Sequence, residues 1–147
     1  MCATDLHAVV EFYADDFDFD DHRRLSGDPI PGKEAMRAAL ERVLSQFPTF
    51  ELRGLAVRGN RLALGWSRWS DGAGNESRHL HLVGVDQSGH IVYDGRFDED
   101  DFDSAYRELD RRYFAGEAAE FAEIDPVQTS FMHALNHGDL DAAKKAC

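Results

Sequence analysis

Basic residues, cysteines and long apolar runs are all scarce in this chain. Sixteen Lys and Arg stand against 28 Asp and Glu, a formal charge of −12. General nucleic-acid binders and polybasic membrane binders need clustered cations facing an anionic partner, so neither is expected here. The only cysteines are Cys2 and Cys147. Two cysteines do not make a disulfide framework, and a reducing cytoplasm is the simpler setting. The opening residues, MCATDL, have neither a basic nor an apolar signal region, and no apolar run reaches the ~18 residues that span a bilayer. No Gly-x-Ser-x-Gly elbow supports a serine hydrolase, and no P-loop or dinucleotide glycine pattern supports a nucleotide site. No cofactor is expected.

What is present suffices for one core: 147 residues, 43% of them hydrophobic. Leu6, Val9, Val10 and Tyr13 share one face of a short first helix, capped by Thr4 or Asp5. Residues 15–21, DDFDFDD, alternate Asp with Phe17 and Phe19, which suits a brief edge strand whose charge discourages further pairing. Met36, Ala39, Leu40, Val43, Leu44 and Phe47 make the stripe of a second helix that Pro48 stops. From Phe50 the period changes to two, and strands are expected near 50–58, 61–71, 76–86 and 90–97. Asp98 can cap a third helix with Phe102, Ala105, Tyr106, Leu109 and Tyr113 inward and Gly116 as its stop. The acidic residues 98–103 read as a helix start rather than a cation site.

Register can be derived from the turns. A two-residue turn at Gly59-Asn60 pairs Val57 with Leu62, Leu55 with Leu64 and Arg53 with Trp66. A four-residue loop over 72–75 then sets Trp66 opposite His81, and a three-residue turn at 87–89 sets Val83 opposite Tyr93 and Val85 opposite Ile91. One face would thus carry Leu62, Leu64, Trp66, His79, His81, Val83, Tyr93 and Phe97. The other would carry Ser67, Trp69, Leu80, Leu82, Val92, Asp94 and Arg96. The first is the expected core. The second is too apolar for a wet face, which suggests a homodimer through Trp69, Leu80, Leu82 and Val92. A three- or five-residue loop in place of 72–75 would move the histidines to the other face.

The order helix, acidic edge, helix, antiparallel meander resembles the nuclear transport factor 2-like superfamily, which includes SnoaL-like polyketide cyclases, ketosteroid isomerase and scytalone dehydratase. The resemblance rests on Phe12-Tyr13-Ala14-Asp15-Asp16-Phe17, on Gly32-Lys33-Glu34-Ala35-Met36 and on Asp86-Gln87-Ser88-Gly89-His90-Ile91. It implies an α+β, cystatin-like cone: a curved antiparallel sheet of a four-strand meander plus a short edge strand, packed against helices. Residues 1–124 would form this domain with a short opening helix. A phrase common near the start of such domains occurs instead as Ala134-Leu135-Asn136-His137-Gly138-Asp139. Residues 125–147 therefore resemble the start of a second copy. They either belong to a tandem array or complete the first domain, in their own chain or swapped into a neighbour.

In such a cone the resemblance implies an apolar cavity with a few polar groups. Its expected lining is Tyr13, His22, Trp66, Arg68, His79 and Phe97, with His81 as a general base and Tyr93 as a hydrogen-bond donor. No familiar catalytic phrase aligns, so the His81–Tyr93 pair rests on strand geometry. A His-x-His pair could also bind a metal, but no third ligand adjoins it, so no metal is expected. The leading expectation is a module that binds a small apolar or aromatic molecule, with no nucleic acid or membrane as partner. The alternatives are a cofactor-independent isomerase, dehydratase or cyclase, and a structural or assembly domain. A cavity of several hundred Å³ with His81 and Tyr93 inward would favour ligand or enzyme.

Overall fold

The computed structural model describes residues 6–120, with Gly138 and Asp141; the expectation for 125–147 otherwise lies outside the described residues. The elements run α1 (Leu6–Glu11), β1 (Tyr13–Asp21), α2 (Lys33–Gln46), β2 (Thr49–Arg58), β3 (Leu62–Ser70), β4 (Glu76–Val85), β5 (Ile91–Asp98) and α3 (Phe102–Ala115). One sheet in the order β1-β5-β4-β3-β2 holds the fold together: β2 to β5 form the antiparallel meander, and β1 adds at the edge, parallel to β5. The class is α+β, as expected, and the acidic segment is an edge strand that starts earlier than its charges, at Tyr13.

The register departs from expectation at three places, each with a local cause. Three residues, not two, lie between the paired Arg58 and Leu62, and an irregularity between Gly54 and Ala56 absorbs the extra residue, so Arg53 still faces Trp66. The β3–β4 loop has five residues, because Ser70 pairs with Glu76. Asp71 builds that loop: its Oδ1 accepts from the backbone N–H groups of Ala73 (2.7 Å) and Asn75 (3.1 Å), and its Oδ2 accepts from Asn75 Nδ2 (2.6 Å). The loop also takes φ above zero at Gly72 and Gly74, where glycine has no Cβ to clash. Finally, Val85 faces Ile91 but Gly84 faces Tyr93, which leaves Val92 as an extra residue in β5.

Each single-residue slip exchanges the two sides of a strand. Leu80 pairs with Trp66 and Phe97, and His79 pairs with Ser67. Leu64, Leu80, Leu82, Tyr93 and Phe97 consequently form one core with Ala105 and Leu109 of α3, joined by Leu62, Trp66 and Tyr106. Each buried leucine contributes about 1.5–3 kcal/mol relative to exposure. The proposed dimer face is corrected by this packing: Leu80 and Leu82 are buried under α3 of their own chain, so they do not make an outer surface.

Asp101, rather than Asp98, caps α3 by accepting from the Ser104 N–H (3.4 Å). Asp98 and Asp100 instead bind Arg24 (2.9 Å each). On the other side of the sheet, α2 lies against α1 and β1. Met36 packs there with Tyr13, Phe17, Phe19, Leu40 and Ile91, a second and smaller core.

Candidate functional site

Because α2 is held by α1 and β1, it stands off the middle of the sheet, and a cavity of about 120 Å³ remains between them. Its helical wall is Met36, Ala39, Leu40, Val43 and Phe47; its sheet wall is Trp69, Ser77, His79 and Arg96, with Arg23 from the turn just past β1. The cavity is therefore apolar on the helix side and mixed on the sheet side, where Trp69 and Ser77 stand with the imidazole and the two guanidinium groups.

Beside it lies a buried polar chain centred on Asp94. This carboxylate is fully buried and accepts hydrogen bonds from Tyr13 Oη–H (2.7 Å) and His81 Nε2 (2.8 Å). A buried charge persists only when it is paired. Burial works to raise the Asp94 pKa, but the His81 and Arg96 charges and the two donors outweigh it, holding the carboxyl below its ordinary range. The Tyr13 hydroxyl is pushed up, first by burial and then by the Asp94 charge. An ionised carboxylate only accepts, so His81 carries a proton on Nε2 and, when neutral, keeps a lone pair on Nδ1.

His79 is nearly as buried, at 3% exposure. Its Nε2 lies 3.1 Å from Ser67 Oγ. Burial, followed by the nearby charges of Arg96, His81 and Arg23, lowers its pKa from 6.5 to about 3, so it is neutral at physiological pH. Arg96 crosses the face of Phe19 at 5.0 Å and lies 3.5 Å from Asp94, an ion-pair distance without a hydrogen bond. Among the described residues, His79 Nδ1 and Arg96 Nε are the two buried side-chain atoms with no hydrogen-bond partner. Each such orphan ordinarily costs about 1–3 kcal/mol.

The structure brings together Tyr13, His79 and His81 from the expected set, and separates the rest. Trp66 and Phe97 belong to the α3 core, and Trp66 Nε1–H donates to Glu99 (2.6 Å). Tyr93 lies on that same side, its hydroxyl donating to Asp20 (3.3 Å) and its ring 3.2 Å beneath the Arg112 guanidinium. His81 and Tyr93 thus face opposite ways, and the expected acid–base pair is not formed; the Val92 irregularity is the reason. His22 stacks on Phe97 at 4.6 Å and bonds Asp20, away from the cavity. Arg68 is engaged by Glu51 (2.7 Å) and Glu76 (3.4 Å). Ser67, Trp69, Asp94, Arg96 and Arg23 were not expected at the site. Strand alternation was the available signal, since His79, His81, Asp94 and Arg96 interleave with Leu80, Leu82, Tyr93 and Phe97.

A five-strand sheet carrying a helix-covered cavity beside a buried polar chain defines an α+β domain of cystatin-like type. The chain belongs to the SnoaL-like domain family, whose sequence pattern matches residues 2–94. The match ends within β5, and α3 lies beyond it. Among solved structures, RV0760c from Mycobacterium tuberculosis in complex with estradiol-17beta-hemisuccinate is similar (18% identity, 63% of this chain and 79% of that one, TM-score 0.52). So is an NTF-2 like protein of unknown function from Burkholderia xenovorans LB400 (23% identity, 64% and 71%, TM-score 0.51). A third is a cystatin-like fold protein from Silicibacter pomeroyi DSS-3 (17% identity, 63% of each chain, TM-score 0.51). None of the curated proteins compared with the chain matches it. Among the described residues, no helix is long and apolar enough to cross a membrane, and no cluster of three or more His, Cys, Asp or Glu could hold a metal ion.

Proposed function

We propose that this chain is a small-molecule-binding module whose ligand lies in the cavity beneath α2. The observation that carries this reading is a cavity whose apolar helix wall faces a sheet wall of Trp69, Ser77, His79 and Arg96. Sites that bind small molecules combine an apolar lining with a few convergent polar groups. The steroid conjugate held by RV0760c supports the reading, since that protein shares the fold. The scale differs: about 120 Å³ is close to the ~150 Å³ engineered cavity that takes one benzene ring. A single aromatic ring enters whole, whereas a steroid places one ring inside and extends through the mouth. The composition supports a cytoplasmic setting for this binding.

Thermal shift with single-ring aromatics, aromatic polyketides and steroids tests the proposal. A ligand at 100 times its Kd stabilises the fold by about 2.7 kcal/mol, or roughly 5–10 °C for a chain of this size. No shift with any class, and no change in Trp69 fluorescence, would turn the reading toward a structural or assembly domain.

The Asp94–His81 contact favours a second reading, acid–base catalysis. A buried carboxylate that orients an imidazole leaves Nδ1 available as a base. Deuterium exchange beside the carbonyl of a bound ketone, lost in His81→Ala, would support it. Binding without exchange leaves the binding module.

A further inference from the structure

The side of the sheet that carries His79 and His81 is covered over only part of its width. α2 is held against α1 and β1, at the edge opposite β2, and α3 packs on the other side of the sheet. Leu52 pairs with Ser67 and Val57 with Ala63, and these partners pair in turn with His79 and Val83. Leu52, Val57, Ala63 and Val83 therefore share the histidine side. Leu52 is 57% exposed, Val57 is 66% exposed, and Ala63 is exposed as well. Aliphatic side chains turned outward together on an edge strand mark a face that lacks its cover.

The chain's own continuation sets out beside this face. After α3, Glu117 accepts from the Asn60 N–H (3.1 Å) and Ala118 is buried, which ties the chain to the turn between β2 and β3, close to Val57. Further on, Val127, Phe131, Ala134 and Leu135 have the spacing of one helical face, after the helix-start pair Asp125-Pro126 and before Gly138. Gly138 has a φ of 69°, the left-handed conformation in which glycine ends helices. Residues 121–126 reach up to about 20 Å when extended. As a helix, residues 127–135 run about 13 Å, against about 17 Å from Leu52 to Val57 along the strand. Reach and length both fit. A second copy fits worse, since a stable interface takes about 20–30 residues from each partner and the uncovered face offers a handful.

We propose that residues 127–135 dock as a helix on the uncovered face of their own chain, with Phe131 against Val57 and Leu135 toward Leu52. Thr129, His133 and Asn136 then point to water. The inference is independent of the small-molecule reading. It also places a roof beside His81, whose side chain lies on the same face and is 20% exposed.

Nuclear Overhauser measurements on the full, unsubstituted chain test this directly. Contacts between the Val57 methyl groups and the Phe131 ring are expected, and mixing isotope-labelled with unlabelled chains identifies their source. Contacts within one chain support the docking. Contacts seen only between chains mean that a neighbour covers the face, and they overturn it. The absence of any contact from residues 127–135 to Leu52 or Val57 overturns it too. Urea unfolding gives a second readout. Val57→Asp is expected to raise the unfolding constant about fivefold more in the wild-type background than in one carrying Phe131→Ala and Leu135→Ala. The strand's own preference for valine enters both backgrounds and cancels. Effects equal within about twofold in the two backgrounds overturn the docking.

Discussion

Mild acid is expected to destabilise this fold through His79. Its folded pKa of about 3 lies below the ordinary 6.5, so the unfolded chain takes up the proton first. The stability that depends on a neutral His79 is complete above pH 6.5 and is lost as the pH falls from 6.5 toward 3. One pKa unit corresponds to about 1.4 kcal/mol, so moving from about pH 7 to about pH 5 costs about 2 kcal/mol. With a urea dependence of about 2 kcal/mol/M, the unfolding midpoint falls by about 1 M. The assay is urea unfolding followed by tryptophan fluorescence at both pH values, for the wild type and for His79→Gln. Glutamine can still bond Ser67 but does not titrate, and the other ionisable groups are common to both proteins and cancel in the difference. Asp94 acts in a separate window, since its lowered pKa gives stability that is lost only as the pH drops below about 4. A wild-type loss that exceeds the variant's by less than about 0.5 kcal/mol would refute a His79 held buried and neutral.

Other substitutions probe the rest of the framework. Leu82→Ala removes a fully buried side chain from the α3 core and is expected to cost about 2–5 kcal/mol in denaturant unfolding. A surface-like cost under 1 kcal/mol would contradict the register. Asp94→Asn leaves His81 facing a neutral amide and is expected to lower stability by about 2–4 kcal/mol, read as a melting shift. Removal of residues 125–147 tests their proposed part in completing the domain: a lower melting temperature or a changed oligomeric state is expected, and no change in either would reject it.

The elements were legible because their signals are local. The α2 stripe from Met36 to Phe47 and the stop at Pro48 depend only on nearby residues, as does the switch to period two after Phe50. The site depends on how strands are set side by side, and there one residue decides everything. The expected register treated Gly72 to Asn75 as the loop, but Asp71 leaves the strand to bind the loop's backbone, and that moved His79 and His81 away from Trp66. Val92 then moved Tyr93 and Phe97 off the histidine side as well. Weighing the polarity of alternate residues would have grouped the two histidines with Asp94 and Arg96, since a helix-covered core prefers the interleaved Leu80, Leu82 and Phe97. The two unpartnered atoms were beyond reach, because they follow from three-dimensional packing around α2.

The Asp71 loop carries a consequence for how this sequence can change over generations. Surface loops usually accept insertions and deletions freely, since closure entropy varies slowly with length. Here the loop is less free, because Asp71 binds its backbone and Gly72 and Gly74 take φ above zero. A slip of the Ser70–Glu76 pairing by one residue would press His79 and His81 into the leucine core and turn Leu80 and Leu82 toward the cavity. A change of loop length that keeps this pairing leaves both faces as they are. The side each histidine meets is therefore guarded by Asp71 and the two glycines, and not by the number of residues between the strands.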